Sequence, residues 1–255
     1  MITLISPDWL GAPDNIGACS TERSGGVSAT PYDDASGSGT GGLNLALHVG
    51  DAPALVSQNR QRLQRYLPAA PVWLEQVHGA TVVDAEHAAH AGMPVKADAS
   101  FTTARGVVCA VMTADCMPVL LCDSRGSVVA AAHAGWRGLA AGVLQNTAAA
   151  MRAAGATDLM AWMGTAIGPA HFEVGADVYA AFVARDPAAD AAFRRLGNNG
   201  KYLADLFHLT RTALSACGVQ RIAGGELCTV SAASRFYSYR RDRETGRMAT
   251  LIWRK

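Results

Sequence analysis

Residues 107–153 constrain the fold more than any other part of the chain. Three short apolar runs, 107–112, 118–122 and 128–132, follow one another there, the last two joined by the turn-forming Asp123-Ser124-Arg125-Gly126. Apolar runs of this length without polar alternation read as strands covered on both faces. A helical stretch follows over 136–154, and Gly155 supplies the left-handed stop that ends many helices. Strands covered on both faces need a layer above and a layer below. The segment therefore predicts an α+β protein with sheet buried under helices.

The rest of the chain fits that class. Residues 43–49 read as strand-like. Asp51 and Pro53 mark the start of a helix running to about residue 67. Residues 71–77 read as a strand broken at Gly79, and helices are expected over 175–185, 186–196 and 204–217, the last stopped by Gly218. A C-terminal hairpin is predicted, with 236–239 paired to 248–253 around Glu244-Thr245-Gly246. Between Asp33 and Gly42 the chain is almost entirely Ser, Gly, Asp and Thr, which predicts a flexible loop at 33–42. No compositional boundary divides the chain, so 1–255 is expected to be a single domain.

Composition narrows the function. Charged residues make up 17% of the chain, the net charge is +1, and the lysines and arginines form no stripe. No nucleic-acid partner and no membrane surface are expected, and a small anionic substrate held by one or two arginines stays open. The N-terminus has neither the basic start nor the apolar stretch of an export signal, and no run approaches the roughly 20 apolar residues of a bilayer span. A cytoplasmic monomer is expected. The six cysteines are then expected to be reduced, with Cys109, Cys122 and Cys217, all within apolar stretches, acting as core residues.

Three metal-competent side chains fall at predicted strand ends: His78 after 72–77, Cys116 in the break between two buried strands, and His133 at the end of the third. One thiolate and two imidazoles suit Zn²⁺ and can also take Cu²⁺. Three protein ligands leave a fourth position open, which is the catalytic pattern. Their wide spacing is unlike local signatures such as C-x-x-C, so spacing alone leaves each equally readable as an ordinary buried residue. Arg137 falls in the first turn of the 136–154 helix, where the macrodipole disfavours a cation. With Gly135 and Gly138 it suggests an anion pocket. Arg23, in a glycine-rich loop, is a second candidate, and His48 is a candidate for lining the site. His87 and His90 read as solvated loop residues, and Arg240 and Arg241 as the end of a surface hairpin. The chain has no G-x-S-x-G elbow, no Walker-type phosphate loop and no H-x-E…P-C-x-x-C deaminase signature.

These segments resemble the YfiH-like, laccase-domain family, described variously as multi-activity purine nucleoside phosphorylases, polyphenol oxidases and peptidoglycan editing factors. The resemblance rests on Arg23-Ser24-Gly25-Gly26-Val27-Ser28, Leu43-Asn44-Leu45, His48-Val49-Gly50-Asp51 and Gln76-Val77-His78-Gly79. It continues through Thr113-Ala114-Asp115-Cys116, Ala132-His133-Ala134-Gly135-Trp136-Arg137-Gly138 and Ala166-Ile167-Gly168-Pro169. It ends with Phe172-Glu173-Val174-Gly175 and Tyr239-Arg240-Arg241-Asp242. It implies a four-layer α/β/β/α sandwich with mixed sheets, and one zinc on His78, Cys116 and His133. It also implies phosphorolysis of adenosine, inosine and methylthioadenosine, with adenosine deamination as a side activity. Alternative activities are hydrolytic editing of a peptidoglycan precursor and a copper-dependent polyphenol oxidation. On this view Cys116, Asp115 and Glu173 are the catalytic candidates, the two acids as possible proton donors. Arg23, Asn44, His48, Gln76 and Arg137 are the candidates for holding substrate or phosphate. Two departures stand out: the lengthened 33–42 loop, expected to alter the site entrance, and Glu22 where the family usually has threonine.

Overall fold

The computed structural model describes residues 1–255. The three apolar runs are strands, Val108–Thr113, Met117–Asp123 and Val129–Ala134, and every residue in them is buried. They do not form one sheet. Val108–Thr113 belongs to a five-stranded sheet ordered Leu4–Ile5, Ile16–Thr21, Met248–Arg254, Val108–Thr113, Pro71–Val72. Met117–Asp123 and Val129–Ala134 are central in a six-stranded sheet ordered Arg221–Gly224, Leu159–Met163, Met117–Asp123, Val129–Ala134, Ala99–Thr102, Val82–Asp84. Both sheets are antiparallel in their middles, with parallel pairs at their edges: Pro71–Val72 on Val108–Thr113 in the first, and both outer pairs in the second. A third, three-stranded sheet (Glu173–Val174, Lys201–Ala204, Phe193–Leu196) lies on the helical side.

The side-chain period of two sorts these strands into layers. Cys109 and Val111, Leu120 and Cys122, Val129 and Ala131, and Ile252 share one cluster between the two large sheets. Their alternate neighbours face outward. Val108, Ala110, Ala249 and Leu251 pack under Leu63 of the Pro53–Gln64 helix. Met117, Val119, Leu121, Ala130 and Ala132 pack under Leu144 and Met151 of Val143–Ala153 and Leu209 and Leu214 of Leu206–Ala216. The result is the expected α/β/β/α order, with mixed sheets in one α+β unit. His133 has the parity of Val129 and Ala131, so it faces the layer between the sheets at the end of its strand.

Several local expectations are corrected. Residues 43–49 are extended chain and turn, not strand, and 71–77 is strand only at Pro71–Val72, with a single bridge from Glu75 to Lys96. The 136–154 helix is two helices, Trp136–Ala141 and Val143–Ala153, separated at Gly142 with φ 94°. The expected 186–196 helix is a 3-10 turn, Pro187–Ala192, followed by the strand Phe193–Leu196. The C-terminal hairpin does not form. Met248–Arg254 instead sits between Ile16–Thr21 and Val108–Thr113, and Tyr239–Asp242 is a helical turn capped by Ser238. Isolated runs of sequence cannot show that a last strand inserts into the middle of a sheet begun by the first residues. The 33–42 loop is largely exposed. Its base is tied down by Arg23, which donates to the Asp33 carbonyl, and by Tyr237, which donates to the Tyr32 carbonyl. No helix is long and apolar enough to cross a membrane.

Candidate metal centre and cleft

His78, Cys116 and His133 come from three different places in this fold and meet at one end of the two sheets. His78 lies in the irregular segment that leaves the edge strand Pro71–Val72. Cys116 lies in the link that crosses from the five-stranded to the six-stranded sheet, after Asp115, whose φ is 93°. His133 stands next to the last residue of its strand. One ligand atom from each lies within 4.8 Å of the others, and the Cys116 Sγ is 3.9 Å from the His78 Nε2. The two imidazoles meet edge to face with centroids 4.8 Å apart.

A single carboxylate organises the two histidines. Asp98 is fully buried. Its Oδ1 is 2.8 Å from the His133 Nδ1 and accepts the His78 backbone N–H at 2.9 Å. Its Oδ2 accepts the Gly79 N–H at 2.6 Å and the Val77 N–H at 3.3 Å. Three consecutive N–H groups on one carboxylate hold His78 in its left-handed conformation, φ 59°. The bond to Nδ1 leaves the His133 Nε2 directed at the shared space, the arrangement of a carboxylate behind a metal-binding imidazole.

Electrostatics set Cys116 apart from the core cysteines Cys109 and Cys122. Burial pushes the Cys109 and Cys122 thiols up to about 12, so they are inert. Burial also pushes the Cys116 thiol up, but His133 and His78 outweigh it and hold the thiol below its ordinary value. Burial pulls His133 down, and Cys116 and Asp98 more than reverse this, so His133 is raised. A thiolate-prone sulfur facing two oriented imidazoles is a donor set that fits Zn²⁺ or a copper ion.

Space for an ion depends on Gly135. A Cβ there would lie 2.9 Å from the Cys116 Sγ, 3.1 Å from the His78 Cδ2 and 3.5 Å from the His133 Nε2. The Gly135 backbone, φ −59° and ψ 155°, suits any residue, so the glycine is required for room and not for conformation. Gly135→Ala is expected to leave the thermal unfolding midpoint of the apo protein within a few degrees while weakening zinc binding by about tenfold or more, comparable to loss of an outer-shell partner. Competition with a chromophoric chelator measures this.

His78 and Cys116 form the waist of a two-lobed cleft, and His133 lines one of its lobes. One lobe, of about 360 Å³, is lined by His48, Gln76, Met112, Thr113, Tyr239 and Arg247 together with the three. The other, of about 240 Å³, adds Trp136, Arg137, Ile167, Phe172, Leu206 and Arg240, with Asp115 at its edge.

The sequence candidates distribute unevenly over this cleft. His48 lines the first lobe, and burial followed by the charges of Arg247, Arg60 and His78 lowers its pKa. Gln76 also lines it, with both ends of its amide joined to the Met112 backbone at 2.8 and 2.7 Å. Asn44 is fully buried behind the cleft, donating to Asp51 and accepting the Arg247 N–H. Arg137 lines the second lobe, exposed and stacked 4.6 Å from the Trp136 ring, on a helix of only six residues. Arg23 is not brought to the cleft. It is 5% exposed, donates to the Asp33 and Ala233 carbonyls, and stacks on Tyr237. Glu173 is also outside the cleft lining, its exposed carboxylate 3.6 Å from the Lys201 Nζ. Asp115 reaches the cleft edge, but its oxygens accept Thr229 Oγ1 at 2.5 Å and the Arg240 N–H at 2.6 Å. Glu22 is paired with Arg235, and no residue of 33–42 lines either lobe.

The sequence profile of the family described as multi-copper polyphenol oxidoreductase laccase matches residues 17–255. The chain belongs to this laccase-domain family. Its laccase-domain relatives include the Pseudomonas aeruginosa protein named purine nucleoside phosphorylase PA4543, 49% identical over 98% of this chain and 97% of that one. The Escherichia coli protein named purine nucleoside phosphorylase YfiH is 50% identical over 99% of both chains. Among solved structures, Neisseria meningitidis NMB0706 superposes with a TM-score of 0.90 at 47% identity over 99% of each chain. YlmD from Geobacillus stearothermophilus gives 0.85 at 31% identity, covering 98% of this chain and 97% of that one.

Sequence reasoning missed Asp98, which braces both histidines, and Arg247, which lines the cleft. Asp98 stands between alanines immediately before the strand Ala99–Thr102, and an acid flanked by small apolar residues is a usable signal for a buried carboxylate. Arg247 gave no signal, because the segment carrying it was read as a surface turn.

Proposed function

We propose that the protein is a zinc-dependent purine nucleoside phosphorylase. The observation that carries this reading is a metal-competent trio where a polar lobe and a largely apolar, aromatic lobe of one cleft meet, in a chain aligned end to end with relatives named for that activity. In the reaction a phosphate oxygen bonds to the anomeric carbon of the nucleoside. The bond from that carbon to the purine nitrogen breaks, the electron pair leaves with the purine, and the purine takes up a proton. Zinc held by His78, Cys116 and His133 supplies Lewis acidity at the waist.

The chain's own residues bind and orient. Trp136 and Phe172 offer faces and edges for a planar base, with Arg240 stacked over Phe172 and tied to the His171 and Glu173 carbonyls. Asp115 is a positioning residue. Its bonds to Thr229 and the Arg240 backbone hold the strained turn that aims Cys116. Adenosine, inosine and methylthioadenosine are the proposed substrates, with adenosine deamination as a side reaction at the same waist.

Chromatography of adenosine incubated with the zinc-loaded protein tests this reading. Adenine and ribose 1-phosphate forming only when phosphate is added is the expected result, and inosine marks the deamination. Base release without phosphate points to a hydrolase. No turnover with adenosine, inosine or methylthioadenosine sinks the nucleoside reading and favours the cell-wall precursor.

A further inference from the structure

We infer that Arg247 and Thr113 form the anion subsite of this cleft, so that inorganic phosphate enters the lobe of His48 and Arg247 and the nucleoside base occupies the lobe of Trp136 and Phe172. The assignment rests on the phosphorylase reading for its biological ligand, but on three separate features of the structure for its place.

The first is a cation without an ion-pair partner. Arg247 is half-buried and has no carboxylate within ion-pair distance. Its one bonded nitrogen, Nη1, donates only to the Thr245 and Gly246 carbonyls. The other guanidinium nitrogens have no protein acceptor, and the group lies 5.9 Å from the Tyr239 ring centroid. Burying an unpaired cation is costly, and an anion beside it offsets that cost. No acidic residue lines this lobe. A divalent ion held by one thiolate and two neutral imidazoles would leave a further net positive charge at the waist, adding to the attraction.

The second feature is an unmatched hydroxyl. Thr113 is 2% exposed and lines the same lobe; its Oγ1 is sealed from solvent and has no hydrogen-bond partner in the protein, so the side chain must turn to present it to a ligand. An orphaned buried hydroxyl is destabilising unless something else completes it, and a phosphate oxygen is an acceptor of the right kind.

The third is that the competing arginines are occupied or badly placed. Arg240 is bonded much as Arg247 is, through Nη1 alone to two carbonyls, but it lies over Phe172 in the other lobe, where the Asp115 carboxylate lines the wall and accepts its backbone N–H. Arg23 is buried away from the cleft and already bonded. Arg137 is exposed and stacked on Trp136, where water screens it.

The test is calorimetric titration of the zinc-loaded protein with inorganic phosphate, without nucleoside. Arg247→Met is expected to raise the phosphate dissociation constant by about tenfold or more, as loss of a charge-assisted contact should. Arg247→Lys, which keeps charge and packing, is expected to fall between Met and the native residue. Thr113→Val removes a hydroxyl with no protein partner. It is therefore expected to unfold no earlier than the native protein on heating, while weakening phosphate by roughly three- to tenfold. Arg137→Met is expected to change phosphate binding by less than about twofold, the effect of a screened surface charge. Native phosphate affinity in both the Arg247→Met and Thr113→Val proteins overturns the assignment, as does a native protein that binds no phosphate, or a loss confined to Arg137→Met. Inosine turnover with and without phosphate reports on the phosphorylase reading separately. Phosphate-independent release of hypoxanthine beside Arg247-dependent phosphate binding would sink that reading and leave the subsite standing.

Discussion

Cys116→Ala protein is expected to purify folded but without stoichiometric zinc, and to lose turnover of every substrate together. The sulfur is the one anionic donor among the three ligands, and the two histidines that face it hold its thiol below the ordinary range. Two neutral imidazoles without it leave a site of lower charge and lower denticity. The loss should therefore exceed the roughly 10–100-fold that partners behind a ligand contribute. Elemental analysis of the dialysed variant, beside its circular dichroism and its turnover, separates the alternatives. A variant that keeps one zinc per chain would remove Cys116 from the ligand set, and one that keeps turnover would remove the metal from the reaction.

Asp98→Asn should be nearly as damaging, through a different route. The substitution keeps the shape of the side chain and replaces one acceptor oxygen with a donor. The carboxylate faces only donors: the His133 ring nitrogen and the backbone N–H groups of Val77, His78 and Gly79. At least one of them must then face another donor in a fully buried setting. Breaking a buried, charge-assisted group of this kind typically costs about 3–5 kcal/mol. The unfolding midpoint should fall by several degrees, and zinc affinity by about 10–100-fold, because His133 loses its fixed tautomer and His78 its fixed backbone. Thermal unfolding of apo and zinc-loaded protein reads both effects. An unchanged zinc affinity would show that the histidines orient themselves without Asp98.

The parts of this protein that were legible in the sequence are those whose physics is local. Strands buried on both faces announce themselves as unbroken apolar runs, and Val108–Thr113, Met117–Asp123 and Val129–Ala134 fall where 107–112, 118–122 and 128–132 were read. His78, Cys116 and His133 stood out because polar metal donors at strand ends need an explanation. What was not legible depends on long-range pairing. Nothing between 236 and 254 reveals that Met248–Arg254 will be claimed by Ile16–Thr21 and Val108–Thr113, so Arg247 could not be placed beside His48. Arg23 looked like a ligand residue because a glycine-rich loop surrounds it, but its guanidinium is consumed by holding that loop to the rest of the fold. The break at Gly142 was invisible for an energetic reason. One glycine costs a helix only about 1 kcal/mol, and tertiary packing decides whether it bends the chain or is absorbed.

The crossing of Cys116 from one large sheet to the other has a consequence for how the protein ages. His78 belongs to the side of the five-stranded sheet and His133 to the six-stranded one, with Cys116 in the link between them. An ion gripped by all three is a rivet through the laminate. Binding only the folded form, zinc present at about a thousand times its dissociation constant would add roughly 4 kcal/mol to stability. Chelation should therefore do more than silence the enzyme. It removes one tie from 73–79, which has almost no strand pairing and is otherwise held by Asp98 and the Met112 backbone, and protease nicking there should rise on chelation and fall again when zinc is restored. The same three side chains that would carry turnover also set the lifetime of the folded chain, so in a zinc-poor cell the protein would be lost by degradation as well as by inactivity.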